Sequence, residues 1–550
     1  MYANLFCKIY RSIIAIAISL PVCTYVNAQK MFFSPREHDI ISDTKTYIIG
    51  NMASNILVWK YLPTAQRSQL LVYNENMEVK VREDADIFLS KDIYQLNFIN
   101  RQNSFDVIAQ IFTRHNFYCQ LASFNANGDL LRPVKTLIAK NIPKTYYAGS
   151  YDCITSANKK YFALVKDAHQ ASASDLQLEC SIYYVQDTLQ NIVQKTISIP
   201  YYRDIHTLFS PLHLDNTGNL FFAEYISQDG DSSSHLIVYK SALNSSDYNS
   251  CVTDISNKQL SGINIKLDNT KQQCIIYALW SPSNMAAYSD NNYTGIFSWA
   301  VNENLESYKK DTSWLLPGVP GLDFKNWQNQ SISARDVITL SDNSYTIALT
   351  GTDKRENSLY GDNDDVISEY DYINAGDYSA GLYEASNPQV PVTKTTKGSS
   401  ANASNQSPGY FYTYTGNTPK RNLKNVVPEP PVNANLLLLR FDNASNKIKW
   451  WQDVSSNHEI NSFSFVNKYS MLNTGESLYF ICKKMLTKDK ESFENIRLDP
   501  DGNIAVKQLM SRDPGYEILV DKGVQVDKHS MVFPCIYQNK TLAFARFELE

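Results

Sequence analysis

The hydrophobic positions of this chain fall into short runs, not long stripes. In Leu220-Phe221-Phe222-Ala223-Glu224-Tyr225 and in Leu436-Leu437-Leu438-Leu439-Arg440-Phe441 the apolar stretch is brief and ends at turn residues. That is the signature of β-strands. No window carries the 3.6-residue apolar repeat of an amphipathic helix of about ten residues or more. Strand-sized runs alternate with Asn/Asp/Gly turns, as in Leu214-Asp215-Asn216-Thr217-Gly218-Asn219, Leu472-Asn473-Thr474-Gly475-Glu476 and Asp499-Pro500-Asp501-Gly502-Asn503. Read as copies of one turn, these mark a unit of four strands recurring roughly every 45–60 residues where no long loop interrupts it. Radially repeated sheets need such a unit.

Eight units, each with strands A to D, are predicted. The third places A to D at 150–157, 161–166, 179–186 and 192–199. The fourth places them at 208–216, 220–227, 235–243 and 252–256, and the fifth at 263–269, 273–280, 294–302 and 307–314. Units one, two, six and seven begin near Thr44, Ile93, Arg335 and Ser470. The last has only three strands, 523–527, 530–537 and 541–549. A ring of blades with one strand missing at its end is closed by a strand from the other terminus, and 31–34 within the N-terminal segment 29–43 is the candidate. Closure removes exposed sheet edges. The expected fold is therefore all-β, a propeller of four-stranded antiparallel blades over 44–550. The count is eight, or seven if residues 44–83 pack as a separate cap.

Composition agrees with strands: thirty-six tyrosines and twenty-four phenylalanines suit a pleated, half-buried surface. A net charge of −5 over 550 residues argues against nucleic acid as a partner, because phosphate binding needs clustered Lys and Arg. Lys8 and Arg11, the apolar run 13–22 and Val26-Asn27-Ala28 read as a secretory signal over 1–28, cut before Gln29. The other reading is a lipoprotein signal processed at Cys23, although Val22 is not the small residue expected before the cut. Either way the chain is expected to be exported (periplasmic, at the cell surface or extracellular), with no membrane span after cleavage, because a span needs ~20 apolar residues. In its repeats, signal and turn chemistry the chain resembles secreted bacterial β-propellers over nearly its whole mature length. The resemblance is to an architecture, and no functional residue carries over from it.

Cys119, Cys153, Cys180, Cys251, Cys274, Cys482 and Cys535 remain after the signal. Their number is odd, no C-x-x-C spacing occurs, and most sit inside apolar strand runs. They read as small buried hydrophobes, with one or two disulfides left open and unpaired by the sequence.

Loop length is one-sided. The C–D turns are tight, whereas the B–C connections are long at 167–178, 228–234, 281–293 and 351–433. In a propeller the B–C and D–A connections emerge on one face, and loops on a rigid scaffold carry function. The insert 351–433 is disordered-like in composition. Its first part holds Asp362, Asp364 and Asp365, which are candidate oxygen ligands for calcium but lack the EF-hand spacing, and a charge run of this kind reads first as a solvated acidic loop. No other cofactor is implied.

No nucleophile elbow, H-E-x-x-H helix, Walker loop or dinucleotide fingerprint occurs. The candidate ligand-binding residues are loop aromatics Trp327, Tyr288 and Tyr293, with His169 and His206 on the same face. Trp280 and Trp314, at strand ends, read instead as caps on the core. The functional reading is an exported binding scaffold for a glycan, an envelope protein or a peptide. The alternative is a carbohydrate-active hydrolase or lyase with carboxylates in the central funnel, ~5–9.5 Å apart.

Overall fold

The computed structural model describes residues 30–37, 44–89, 93–113, 116–141, 151–167, 175–185, 189–200, 206–227, 234–255, 258–269, 271–282, 295–314, 330–339, 345–353, 384–385, 434–441, 448–453, 469–487, 490–511, 515–538 and 541–549. They form eight antiparallel sheets taken in chain order.

Blade 1 runs Lys45–Met52, Asn55–Leu62, Arg67–Tyr73, Val79–Asp84, and blade 2 runs Ile93–Asn100, Ser104–Phe112, Asn116–Asn125, Leu130–Asn141. Blade 3 is Asp152–Thr155, Tyr161–Asp167, Asp175–Val185, Leu189–Pro200. Blade 4 splits its inner strand into His206–Phe209 and His213–Leu214, followed by Leu220–Ser227, Ser234–Ser241, Asn249–Asp254. Blade 5 is Lys258–Asp268, Gln273–Pro282, Gly295–Asn302, Ser307–Trp314, and blade 6 is Gln330–Thr339, Tyr345–Asp353, Ala434–Phe441, Ile448–Asp453. Blade 7 is Tyr469–Asn473, Leu478–Thr487, Lys490–Leu498, Ile504–Ser511. Blade 8 has Tyr516–Ile518 with Val524–Gln525, then Ser530–Tyr537 and Thr541–Glu548.

The fourth strand of blade 8 is Lys30–Phe33, paired antiparallel with Thr541–Glu548 from Lys30 opposite Glu548 to Phe33 opposite Ala545. The ring closes between blades 8 and 1: Val524, Val532, Leu542 and Phe544 pack with Ile48, Val58, Leu71 and Tyr73. Eight blades, with residues 44–83 as the first of them and not a cap, is the architecture. The Gly351–Asn433 insert lies outside the described residues except at its start and at Glu384–Ala385, which pairs with the inner strand of blade 1.

Each blade hides both faces against its neighbours, so its inner strands are apolar on both sides. Trp59, Phe98, Phe105 and Phe124 fill the space between blades 1 and 2, with the rings of Phe105 and Phe124 stacked at 5.0 Å. Leu478, Phe480 and Ile496 of blade 7 meet Ala348, Leu436 and Leu438 of blade 6.

The three marker turns are not copies of one position. The turns at 215–219 and 473–477 join strands A and B, whereas 499–503 joins C and D. The turns at 215–219 and 499–503 share chemistry instead of place, whereas in 473–477 Asn473 Oδ1 accepts from Gly475 N and Thr474 Oγ1 from Ser477 N. The side-chain oxygen of Asn74, Asn125, Asn302 or Asp499 accepts from the backbone N–H groups two and four residues on. A second amide–carboxylate bond joins the same two ends, as Asn125 Nδ2 to Asp129 Oδ2 at 2.8 Å and Asn503 Nδ2 to Asp499 Oδ2 at 2.9 Å. Asp215 does the same in an A–B turn. Asx turns of this kind satisfy the loop backbone without help from the core. Gly502 sits at φ +89°, and a Cβ there would stand 2.9 Å from the Trp450 ring of blade 6, so this turn needs glycine for both conformation and fit.

Several C–D turns also interlock in one rotational sense. Asn55 of blade 1 donates to Ala126 O of blade 2, Lys195 of blade 3 to Ala242 O of blade 4, and Lys240 of blade 4 to Glu303 O of blade 5. Trp450 and Gln452 of blade 6 donate to Pro500 O and Gly502 O of blade 7, and Arg546 of blade 8 to Glu75 O of blade 1. Each C–D turn in this set is held by the blade before it.

The strap that follows the closing strand carries Glu37, which is fully buried. Its carboxylate accepts from Lys60 Nζ at 2.9 Å, from Arg82 Nη1 and Nη2 at 2.6 and 2.9 Å, and from Tyr73 OH at 3.1 Å. Its own N–H donates to Leu542 O of blade 8 at 2.8 Å. Burial opposes the charge, but the hydrogen bonds from Arg82 and Lys60 outweigh it and hold the carboxyl below 4.5. Replacing Glu37 by alanine removes the carboxylate that Lys60 meets in a dry interface, and is expected to cost about 3–5 kcal/mol. The denaturation midpoint in urea, followed by tryptophan fluorescence, checks this; a midpoint equal to the parent's refutes it. Because the folded pKa lies below the unfolded 4.5, the carboxylate's contribution is complete above that value and is lost as pH falls through the folded pKa. The parent is therefore expected to lose more stability in acid than the alanine variant.

Candidate functional site

Every A strand starts on the face that carries the D–A and B–C connections and runs inward beside the axis. The first residues of the A strands therefore ring the mouth of the central channel on that face. Among described residues this collar includes Lys45, Tyr94, Asp152, Lys258 and Glu517. Tyr94 is the extra residue of a bulge, since the register of blade 2 shifts between Ile93 and Gln95. Bulges re-aim a side chain, and this one leaves Tyr94 39% exposed, edge-on to Phe112 at 5.0 Å. Lys258 holds its ammonium 5.7 Å from the buried Trp280 ring.

Asp152 is exposed, yet its carboxyl is pushed up to about 6 by burial alone. The two facts are compatible on an innermost strand: water reaches the group while protein surrounds it at longer range and disfavours its charge. No described residue gives it a hydrogen bond or a counter-charge. A carboxyl that titrates near neutrality in a channel is chemically suited to donate a hydrogen bond or a proton.

Beside it, blades 2 and 3 build a polar shelf. Tyr151 is fixed from behind by Gln110, whose Nε2 donates to Tyr151 O at 2.6 Å while its Oε1 accepts from Tyr151 N at 2.8 Å. Lys140 bonds Glu179, Tyr151 OH donates to the same carboxylate at 3.3 Å, and Lys140 and Lys166 stand 5.6 and 6.0 Å from the Tyr151 ring. Burial works against the charge of Glu179, but the bond and charge of Lys140, the bond from Tyr151 and the charge of Lys166 together outweigh it, so the carboxyl is lowered.

A second perturbed acid lies deeper. Glu224, on strand B of blade 4, is fully buried; Oε2 accepts from Tyr239 OH at 2.5 Å and Oε1 has no described partner. Burial pushes it up to about 7 despite the Tyr239 bond. It sits next to the break in the inner strand, where Ser210 Oγ accepts from Ala223 N at 2.7 Å. Asp152 and Glu224 face the same interface between blades 3 and 4, but burial and not the other acid raises each, so they do not form a coupled pair.

Of the residues named from sequence, Trp327, Tyr288, Tyr293, His169, Asp362, Asp364 and Asp365 lie outside the described residues. His206 begins strand A of blade 4 opposite Ser227, and its side chain is likewise not described. Trp280 is buried in the core between blades 4 and 5. No group of three or more His, Cys, Asp or Glu is placed to hold a metal among the described residues. Sequence reading missed Tyr94, Asp152 and Glu224. Glu224 did leave a signal, as the single acid inside an apolar strand run.

No family model matches the chain, and no curated protein matches it. Solved structures do. A polysaccharide lyase (Uly1) is 9% identical, with TM-score 0.36, over 95% of this chain and 100% of that one. The β-propeller domain of the Trilobed protease from Pyrococcus furiosus, described as having an open velcro topology, is 7% identical, with TM-score 0.32, over 82% and 93%. An α-L-arabinanase from Penicillium chrysogenum is 10% identical, with TM-score 0.26, over 58% and 93%. Likenesses this distant assign no function. The propeller is read from the strand order and the closure of the ring.

Glu224 supplies a pH test. Its folded pKa of about 7 exceeds the unfolded 4.5, so its contribution is complete below 4.5 and is lost as pH rises through about 7. Glu224→Gln, neutral throughout, is expected to be about 2 kcal/mol more stable than the parent near pH 8 and close to it near pH 4.5. Denaturation at both pH values checks this; equal stabilities near pH 8 would show that no charge is buried there.

Proposed function

We propose that this chain is an exported binding scaffold that holds its ligand, a glycan, an envelope protein or a peptide, on the face of the B–C and D–A connections. The asymmetry of the two faces carries the reading. The A–B and C–D face is closed by short Asx turns bonded blade to blade. The opposite face takes the long connections of blades 3 to 6 and presents an exposed tyrosine and a carboxyl with no counter-charge among the described residues at the channel mouth. Aromatic rings beside a hydrogen-bonding carboxyl suit sugar rings and peptide side chains alike.

A carbohydrate-active hydrolase or lyase working from the channel is the second reading, favoured by the raised pKa of Asp152. A glycan array and a polysaccharide panel separate the two. The scaffold reading expects retention without turnover, and Tyr94→Ala is expected to weaken it about tenfold. Release of new reducing or unsaturated ends by the parent, abolished in Asp152→Asn, overturns it in favour of the enzyme. Deleting residues 386–428, which spares the Glu384–Ala385 pairing with blade 1, is expected to leave Tm unchanged while weakening capture of envelope extract components; full capture by the deletion variant removes that stretch from the binding surface.

A further inference from the structure

Two of the thiols meet across the interface between blades 2 and 3. Strand C of blade 2 and strand A of blade 3 both run from the loop face towards the tight-turn face. Phe117 on the first and Tyr151, the residue just before the second, are stacked, with centroids 5.5 Å apart and planes 23° from parallel. Cys119 and Cys153 lie two residues further along each strand in the same direction, so both return to the same interface one level below the stacked rings. Three further observations agree. Cys119 lies opposite Gln110 on strand B, and Gln110 is the residue that clamps the backbone of Tyr151. Cys119 belongs to the apolar cluster between the two blades, and Cys153 packs against that cluster. The two thiols also interact electrostatically. Their surroundings differ: Cys119 is buried, and Cys153 is half-buried and open to reagents.

We propose that Cys119 and Cys153 are the partners of an inter-blade disulfide, formed when the folded chain meets a disulfide oxidant such as oxidised glutathione. The half-buried Cys153 Sγ attacks the oxidant, forming a mixed disulfide and releasing one thiol. Cys119 Sγ then attacks the Cys153 sulfur, the protein disulfide forms, and the second thiol leaves. The two cysteine protons pass to the two departing thiolates. The protein loses two electrons and the oxidant gains them. The burial that raises Cys119 keeps it from reacting first and slows the second step, so the bond forms over hours and not seconds. The link joins the third strand of one blade to the innermost strand of the next, and so ties the two facing sheets together. Cys180, on strand C of blade 3, and Cys274, on strand B of blade 5, belong to the apolar clusters of other interfaces.

The test uses the full mature chain, folded, incubated with oxidised glutathione, alkylated and digested without reduction. The expected result is a peptide linking Cys119 to Cys153, a mass lower by two hydrogen atoms, and a rise in Tm that a reductant reverses. Cys119→Ala is expected to stop at a stable glutathione adduct on Cys153, and Cys153→Ala to gain neither adduct nor link. A parent that accumulates the Cys153 adduct without the linked peptide, or that links either cysteine to a different partner, overturns the pairing. Cys119→Ser, read by circular dichroism and for the same trapped adduct, covers the case in which the alanine variant fails to fold.

Discussion

The structure depends on one closure. The last blade of the ring is complete only if its third strand, Thr541–Glu548, finds an outer partner, and that strand is Lys30–Phe33 from far earlier in the chain. Strand pairing alone is four residues long. The strap beyond it adds Glu37, whose carboxylate collects donors from Lys60, Arg82 and Tyr73 of blade 1 while its N–H is held by blade 8. The three pieces that must meet, closing strand, last blade and first blade, are thus joined at a single buried residue, Glu37. A buried charge is costly unless every lone pair is used, and here the clamp forms only when the ring is shut. The interaction therefore rewards the closed state specifically.

With the ring shut, the other blades need only repeat two local devices. Apolar residues on both faces of each blade fill the joints, and Asx turns finish the tight face without drawing on the core. Because donors reach from one blade to the C–D turn of the next in a constant sense, the tight face is a cross-linked rim. Rigidity on that side leaves the other face free to vary, which is why blades 3 to 6 carry long connections there without disturbing the strands beneath.

The strands themselves were legible. Leu220–Ser227, Ser307–Trp314 and Ser530–Tyr537 stand where the apolar runs placed them. Departures occur where the inner strand is irregular. Blade 4 breaks at Ser210-Pro211-Leu212, and blade 8 replaces a single strand by Tyr516–Ile518 and Val524–Gln525 opposite a B strand that contains Pro534. Proline removes a ladder donor and limits pairing, yet the sequence does not say which neighbour absorbs the loss. The turn motifs were recognised correctly as chemistry and wrongly as one repeated position, because an Asx turn depends on five local residues and not on which pair of strands it joins.

Alternation, turn residues and the three-stranded last unit, all of them local properties, determined from sequence alone that this chain is a ring of antiparallel four-stranded sheets. What only the tertiary structure decided are the relations between residues far apart in the chain. It brings Glu37 to Lys60 and Arg82, and it turns Tyr94 outward at a bulge. It leaves Asp152 wet but surrounded by protein and Glu224 dry with one oxygen unanswered, and it sets Cys119 and Cys153 at the same level of facing blades. Each depends on desolvation or on the register between sheets, and neither is encoded in any window of neighbouring residues.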